Sequence, residues 1–162
     1  MAHGSRLRIV LVHPEIAANT GSVGRTCVAL GASLWLVRPL GFHLGERHRR
    51  RAGLDYWDHL DLHLADSLDQ ALAGIHRSRT WYFSSKARQP YDEVEYQPGD
   101  ALVFGPESRG LSPELLATVP DQSVRIPILP DARCLNLAVA VAVAGFEAAR
   151  QIKRRAATAD PA

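Results

Sequence analysis

Residues Arg125 to Arg150 read RIPILPDARCLNLAVAVAVAGFEAAR, and no other stretch of the chain says as much about its architecture. It opens as a short strand, passes through a loop punctuated by Pro127 and Pro130, and ends in a long apolar run. Between Leu135 and Phe146 the only polar side chain is Asn136. A solvent-facing helix shows a polar face every third or fourth residue, and this run shows none until Glu147. The Ala/Val alternation also fits a buried strand. Alanine is the best helix former, however, and the run flows into EAARQIKRR, which favours a helix. A helix apolar all round in a chain of 162 residues has to be buried deep, or against a second copy of itself. Asn136 is then expected in its first turn, beside a loop, where an amide that is not merely capping would be costly to bury. Chemistry is expected there.

Length, charge and cysteine content bound the rest of the chain. A length of 162 residues is that of one domain, expected to span residues 1–155 and to bury roughly 70% of the unfolded surface. The residues after Arg155, 156–162, are expected to form a disordered tail. A net charge of +2 does not by itself mark a nucleic-acid binder. The basic residues are nonetheless clustered, with Arg47, Arg49, Arg50 and Arg51 together and Arg150, Lys153, Arg154 and Arg155 near the end. Such clusters track a phosphate backbone or form a solvated charged face. Cys27 and Cys134 are too few for a disulfide framework, so a reduced, cytoplasmic protein is expected. No signal peptide is visible, and the run from Leu135 to Phe146 is too short to cross a bilayer.

Before that helix, strands are expected at Leu7–Val12, Ser33–Val37, Leu60–Leu64, Thr80–Ser84, Ala101–Phe104 and Ser123–Ile126. Helices are expected at Val23–Leu30, ended by Gly31, and at Ser67–Ile75, where Ser67 and Gln70 form a capping box. A third should begin at Ser112 as N-cap with Pro113 in its first position. Arg47–Leu54 reads as a basic helical turn. Strands alternating with helices at this spacing predict an α/β fold, a mostly parallel sheet with helices on both faces.

Three polar loops follow strands directly, where ligands of open α/β sheets bind. They are NTGSVGR (Asn19–Arg25), FGPESRGL (Phe104–Leu111) and Pro127 through Asn136. None is a dinucleotide fingerprint or a Walker A loop. Together they resemble the motifs of the SPOUT superfamily of RNA methyltransferases, in its TrmH-like ribose 2′-O branch. RRAGLDYW (Arg50–Trp57), with PLGF (Pro39–Phe42) before it, is similar to the group that methylates the wobble nucleotide, cytidine or uridine, of tRNA. The resemblance runs from about Leu7 to Gln151 and implies a SPOUT fold with a deep trefoil knot near the C-terminus. It also implies S-adenosylmethionine as cofactor, tRNA as substrate, and an obligate homodimer, joined through the C-terminal helix region, that builds its sites across the interface.

Carried over by position, the resemblance makes Arg25 the catalytic arginine, with Asn136 and Glu107 beside it. It places cofactor contacts at Phe83, Gly105, Pro106, Glu107, Ile126, Pro127, Cys134 and Leu135. Gly105 is expected to be glycine so that the ligand can approach bare backbone. RNA contacts are expected from Asn19, Arg25, Arg49, Arg50, Lys86 and Arg109. The implied reaction is attack of a ribose 2′-hydroxyl on the sulfonium methyl, in which alignment lowers the barrier by several kcal/mol. In the family the arginine is often described as the general base. Deprotonating a guanidinium near pH 7 costs at least ~7 kcal/mol, so a charged Arg25 that clamps phosphate and stabilises the alkoxide is the cheaper role.

The chain departs from the family at Ala138 and Val139, since relatives carry Ser or Thr two residues after the asparagine and often Asn next to it. Cys134 stands where the wobble group has Ser. A non-catalytic RNA- or cofactor-binding protein that lost turnover through Ala138 and Val139 is therefore the alternative reading. His59 and His63 are four apart, but no third ligand is near and no metal is expected. His13 is read as loop surface that could enter the site. Trp35 and Trp81 are read as core, and the Tyr56–Trp57 pair as the stronger candidate for stacking on RNA.

Overall fold

The computed structural model of the chain describes residues 7–45 and 55–159. The apolar runs form seven strands: β1 (Arg8–Val12), β2 (Ser33–Val37), β3 (Leu62–Ala65), β4 (Thr80–Phe83), β5 (Gln89–Pro90), β6 (Ala101–Phe104) and β7 (Ser123–Arg125). They make one sheet in the order β3-β2-β1-β6-β4-β7-β5, and every pairing is parallel. Strands buried on both faces read as near-continuous hydrophobic runs, and β6 is buried at all four positions. The two-residue β5 carries a proline, which an edge strand tolerates because it has no ladder hydrogen bond to donate on that side.

Alternate residues of each strand feed two cores. Ile9, Leu11, Leu34, Leu36, Leu102 and Phe104 face α1 (Ala17–Leu30) and α4 (Leu137–Ala159). Val10, Val37, Tyr82 and Val103 face the other way, toward α2 (Leu68–Ala71) and α3 (Pro113–Thr118). The expected α/β architecture, with a parallel sheet covered on both sides, is what forms.

The boundaries differ in instructive ways. α1 begins at Ala17, six residues before the expected Val23, so the whole NTGSVGR segment is helix and not loop. Gly31 ends it as expected, in the left-handed region at φ 66°, with its N–H on the carbonyls of Cys27 and Val28. α2 starts after Ser67 but stops at Ala71, short of Ile75. Ser67 accepts from the Gln70 N–H, while the Gln70 side chain reaches back to the Asp66 N–H at 2.6 Å. β3 sits at Leu62–Ala65, two residues later at its start than expected. Ser112 caps α3 through the Leu115 N–H at 3.2 Å, with Pro113 in the first turn. The basic turn expected at Arg47–Leu54 lies outside the described residues.

α4 does not stop at Arg155. It continues to Ala159, into residues expected to be disordered, because alanines sustain it and the Thr158 hydroxyl donates to the Arg155 carbonyl at 2.9 Å. Nor is the apolar run buried all round. Leu137, Val141, Ala144, Gly145 and Ala148 are buried, whereas Val139 is 48% and Phe146 is 53% exposed. One side of α4 packs on α1, and the other presents an apolar stripe to the outside.

Register brings the strand ends level. Leu11 of β1 and Phe83 of β4 both pair with Phe104 of β6, and Phe83 pairs with Val124 of β7. The segments that follow these four strands therefore emerge side by side at the carboxyl edge of the sheet.

Candidate active site

Those segments enclose a cavity of about 440 Å³. Its floor is the stacked pair Phe83 and Phe104, with ring centroids 4.6 Å apart at the ends of β4 and β6. Gly105, Pro106, Glu107 and Arg109 line it from the loop after β6. Ile126, Cys134, Leu135 and Asn136 line it from the segment between β7 and α4, and Lys86 from the segment after β4. Asn19 closes it from the first turn of α1. Pro127 is not in the wall; its immediate neighbour Ile128 is. Ser108 lines the cavity from the FGPESRGL loop; Ile16, Ser84 and Ser85 also line it, and no feature of their local sequence marks them for that place.

The polar side chains form one connected chain of hydrogen bonds. Glu107 accepts the Glu15 N–H at 2.7 Å and the Ile16 N–H at 3.1 Å, the two amides that lead into α1. The Glu15 carboxylate accepts in turn from the Ser108 hydroxyl at 2.7 Å and the Ser108 N–H at 2.9 Å. The Ser108 side-chain and backbone bonds hold the Glu15 carboxyl below the ordinary carboxylate range. Asn19 donates to Glu107 at 3.3 Å and accepts from the Asn136 amide at 3.0 Å. The loops after β1 and β6 are thus buckled in both directions, and Asn136 ties the start of α4 to them.

Asn136 precedes α4 and does not sit inside its first turn. Its side-chain oxygen accepts from the N–H of Ala138 at 2.9 Å and of Val139 at 3.4 Å, so it is the helix cap. It is exposed, which removes the burial penalty expected of it. These backbone donors orient the carboxamide without a hydroxyl at position 138. The glycine at 105 also has a reason besides the one expected. A Cβ there would lie 2.2 Å from the Gly110 carbonyl carbon and 2.3 Å from the Leu111 nitrogen, so it is the loop's own backbone that needs the space.

Arg25 stands apart. It is exposed on α1, does not line the cavity, and places its guanidinium 5.0 Å from the centre of the Tyr56 ring. Arg49 and Arg50 lie outside the described residues. Cys134 is exposed in the cavity wall, whereas Cys27 is buried on the inner face of α1, which pushes its thiol up to about 12. His63 bonds Asp61 at 2.8 Å and stacks on Trp35 at 4.3 Å. Trp35 also lies under the Arg8 guanidinium, 4.7 Å from its ring centre, and Trp81 donates to Asp100 at 2.9 Å. His13 bonds the Val37 carbonyl through its backbone N–H and is not part of the cavity wall.

A cavity built from the three motif segments at the carboxyl edge of a parallel sheet has direct counterparts among known proteins. The SpoU rRNA Methylase family matches residues 6–146. The chain belongs to that family. A tRNA (cytidine(34)-2′-O)-methyltransferase of Aeromonas hydrophila is 42% identical over 147 residues, covering 90% of this chain and 94% of the relative. One of the same name from Escherichia coli K12 is 40% identical over 147 residues, with the same coverage of both chains. A solved SPOUT structure concerned with the 2-OH methylation of C/U34 on tRNA is 48% identical, with a TM-score of 0.85 over 93% of this chain and 99% of that one. An AdoMet-bound rRNA methyltransferase from Sinorhizobium meliloti has a TM-score of 0.77 at 25% identity, over 91% of this chain and 57% of that one.

Proposed function

We propose that this SpoU-family chain is an S-adenosylmethionine-dependent 2′-O-methyltransferase acting on the wobble nucleotide, cytidine or uridine 34, of tRNA. The observation that carries the reading is the agreement over nine-tenths of the chain with enzymes of that name, at 42% identity. The cavity suits the cofactor. Its volume of about 440 Å³ falls in the usual range for small-molecule sites, and it pairs an aromatic and aliphatic floor with Ser84, Ser85 and Asn136. S-adenosylmethionine supplies the electrophilic methyl group, and tRNA supplies the 2′-hydroxyl that receives it.

The chain's own residues do the holding. Phe83, Ile126 and Leu135 offer apolar surface, and Gly105 and Pro106 offer backbone. Glu107 and Asn136, each bonded to Asn19, keep the three segments in register around the cofactor. Lys86 and Arg109, at the cavity, would meet RNA phosphate, and Arg25 would stabilise the developing alkoxide. Arg25 does not line its own cavity, and the Val139–Phe146 stripe of α4 is open. Both features favour a homodimer in which a second copy covers α4 and brings its Arg25 to this site. The C-terminal trefoil knot belongs to the same reading, supported by the return of α4 onto α1 after β7 at the far side of β4. A tRNA substrate would place the protein in the cytoplasm.

Methyl transfer from labelled S-adenosylmethionine to bulk tRNA, followed by nuclease digestion, tests the reaction. Label at the 2′-oxygen of nucleotide 34, lost in Arg25→Ala with cofactor affinity retained, is the expected result. Tight cofactor binding with no label transferred to any RNA would favour a binding protein. Sedimentation tests the assembly, and a monomer at micromolar concentration would sink the dimer.

A further inference from the structure

The helix that carries Arg25 is met by a second element, the 3-10 turn at Asp55–His59. Their contact centres on Gly24. A Cβ on that residue would lie 3.1 Å from Leu60, 3.3 Å from Trp57 and 3.6 Å from Tyr56. The bare backbone lets the aromatic pair settle against α1 one position before the arginine. Tyr56 then lies beneath Arg25, its ring centre 5.0 Å from the guanidinium carbon. Its hydroxyl donates to the carbonyl of Gly21, one turn earlier on the same helix. Ring and helix are thereby locked together, with Arg25 across the ring.

Among the described residues Arg25 makes no hydrogen bond and no ion pair. A long, exposed side chain with no such tether samples many rotamers, and a guanidinium that must meet developing charge loses rate by wandering. The face of an aromatic ring attracts a cation and matches the flat guanidinium in shape. We propose that Tyr56 is a positioning residue for the methyl-transfer reaction, holding Arg25 at a fixed reach and as a cation. The inference rests on Arg25 acting on the substrate, as in the function given above. Trp57 packs on Gly24, and Arg25 lies over the Tyr56 ring.

The test varies the electron density of the ring at nearly constant shape. Tyr56→Phe is compared with the same position carrying phenylalanine bearing one, two and three fluorines, in the full-length protein with tRNA as substrate. With Tyr56→Phe as the reference of the series, the expected result is that kcat falls stepwise by about fivefold from that ring to the trifluorinated one. The KM for tRNA, the affinity for S-adenosylmethionine and the melting temperature should stay constant. A kcat indifferent to fluorination would overturn the proposal. So would a tRNA KM that rises at constant kcat, which is the behaviour of a ring stacked on RNA. Full turnover in Arg25→Ala would instead remove the role of Arg25 itself, whatever the ring does.

Discussion

Two carboxylates flank β6, one at each end, and they lead opposite lives. Asp100, before the strand, is fully buried. It accepts from Trp81 at 2.9 Å and from the Gln97 N–H at 3.0 Å, and it ion-pairs with Arg79. Glu107, just past the strand, is half-buried, and its partners are Glu15, Ile16 and Asn19, at least 88 residues away in the chain. The Asp100 side chain closes the amino edge of the sheet with partners from its own part of the chain. Glu107 gathers segments from distant parts and leaves a cavity between them. The same kind of group thus serves stability at one edge and a site at the other, because loops leaving the carboxyl edge of a parallel sheet diverge and make a crevice.

This contrast can be broken most easily at Asp100. Asp100→Ala strips the Arg79 guanidinium, 24% exposed, of its partner and leaves the Trp81 indole N–H unsatisfied. Unfolding in urea should show a loss of about 3 kcal/mol, with cofactor affinity of the folded protein unchanged. A variant as stable as the parent would mean that the amino edge does not depend on this group. Glu107→Gln is the counterpart. It keeps one acceptor oxygen but turns an amide toward one of the two α1 donors, so stability should fall by only about 1–2 kcal/mol. Turnover should fall by about tenfold or more, because the segments around the cavity lose their common anchor. Undiminished methyl transfer would show that the anchor is dispensable.

The smallest effect probes the same contrast through pH. Burial, the largest cause, raises the Asp100 carboxyl above its ordinary value of 3.8, although the Gln97, Trp81 and Arg79 contacts pull it down. The folded state therefore holds that proton more tightly than the unfolded chain. Its contribution to stability is full below 3.8 and is lost as pH rises through the raised folded value. Stability curves for Asp100→Asn should lack this decline, whereas Glu107→Gln should retain it. An identical slope in the parent and Asp100→Asn would remove the argument.

Much of this arrangement is legible in the amino-acid sequence. The strands are readable because a parallel sheet buried on both faces needs unbroken apolar runs, and Ala101–Phe104 is one. Ser112 and Pro113 announce α3 because an N-cap acts within its own turn. The three motif segments supply much of the cavity wall, and among the positions expected to meet the cofactor only Pro127 lies outside it. The start of α1 is not legible. Asn, Thr, Gly and Ser have low helix propensity, and Ile16 in the cap position offers no side-chain acceptor. The acceptor for the amides that lead into that helix is Glu107, some ninety residues further along the chain, a pairing no local pattern announces.

Local chemistry is enough to fix the order of strands and helices, the caps at Ser67 and Ser112, and the family to which the motifs belong, and all of these can be read along the chain. Four features depend instead on the assembled fold: α1 reaches back to Ala17, Asn136 caps α4 while bonding Asn19, one flank of α4 stays open, and Tyr56 lies beneath Arg25. Propensity and hydrophobic period act over a few residues, whereas these contacts join groups that become neighbours only after the sheet has formed.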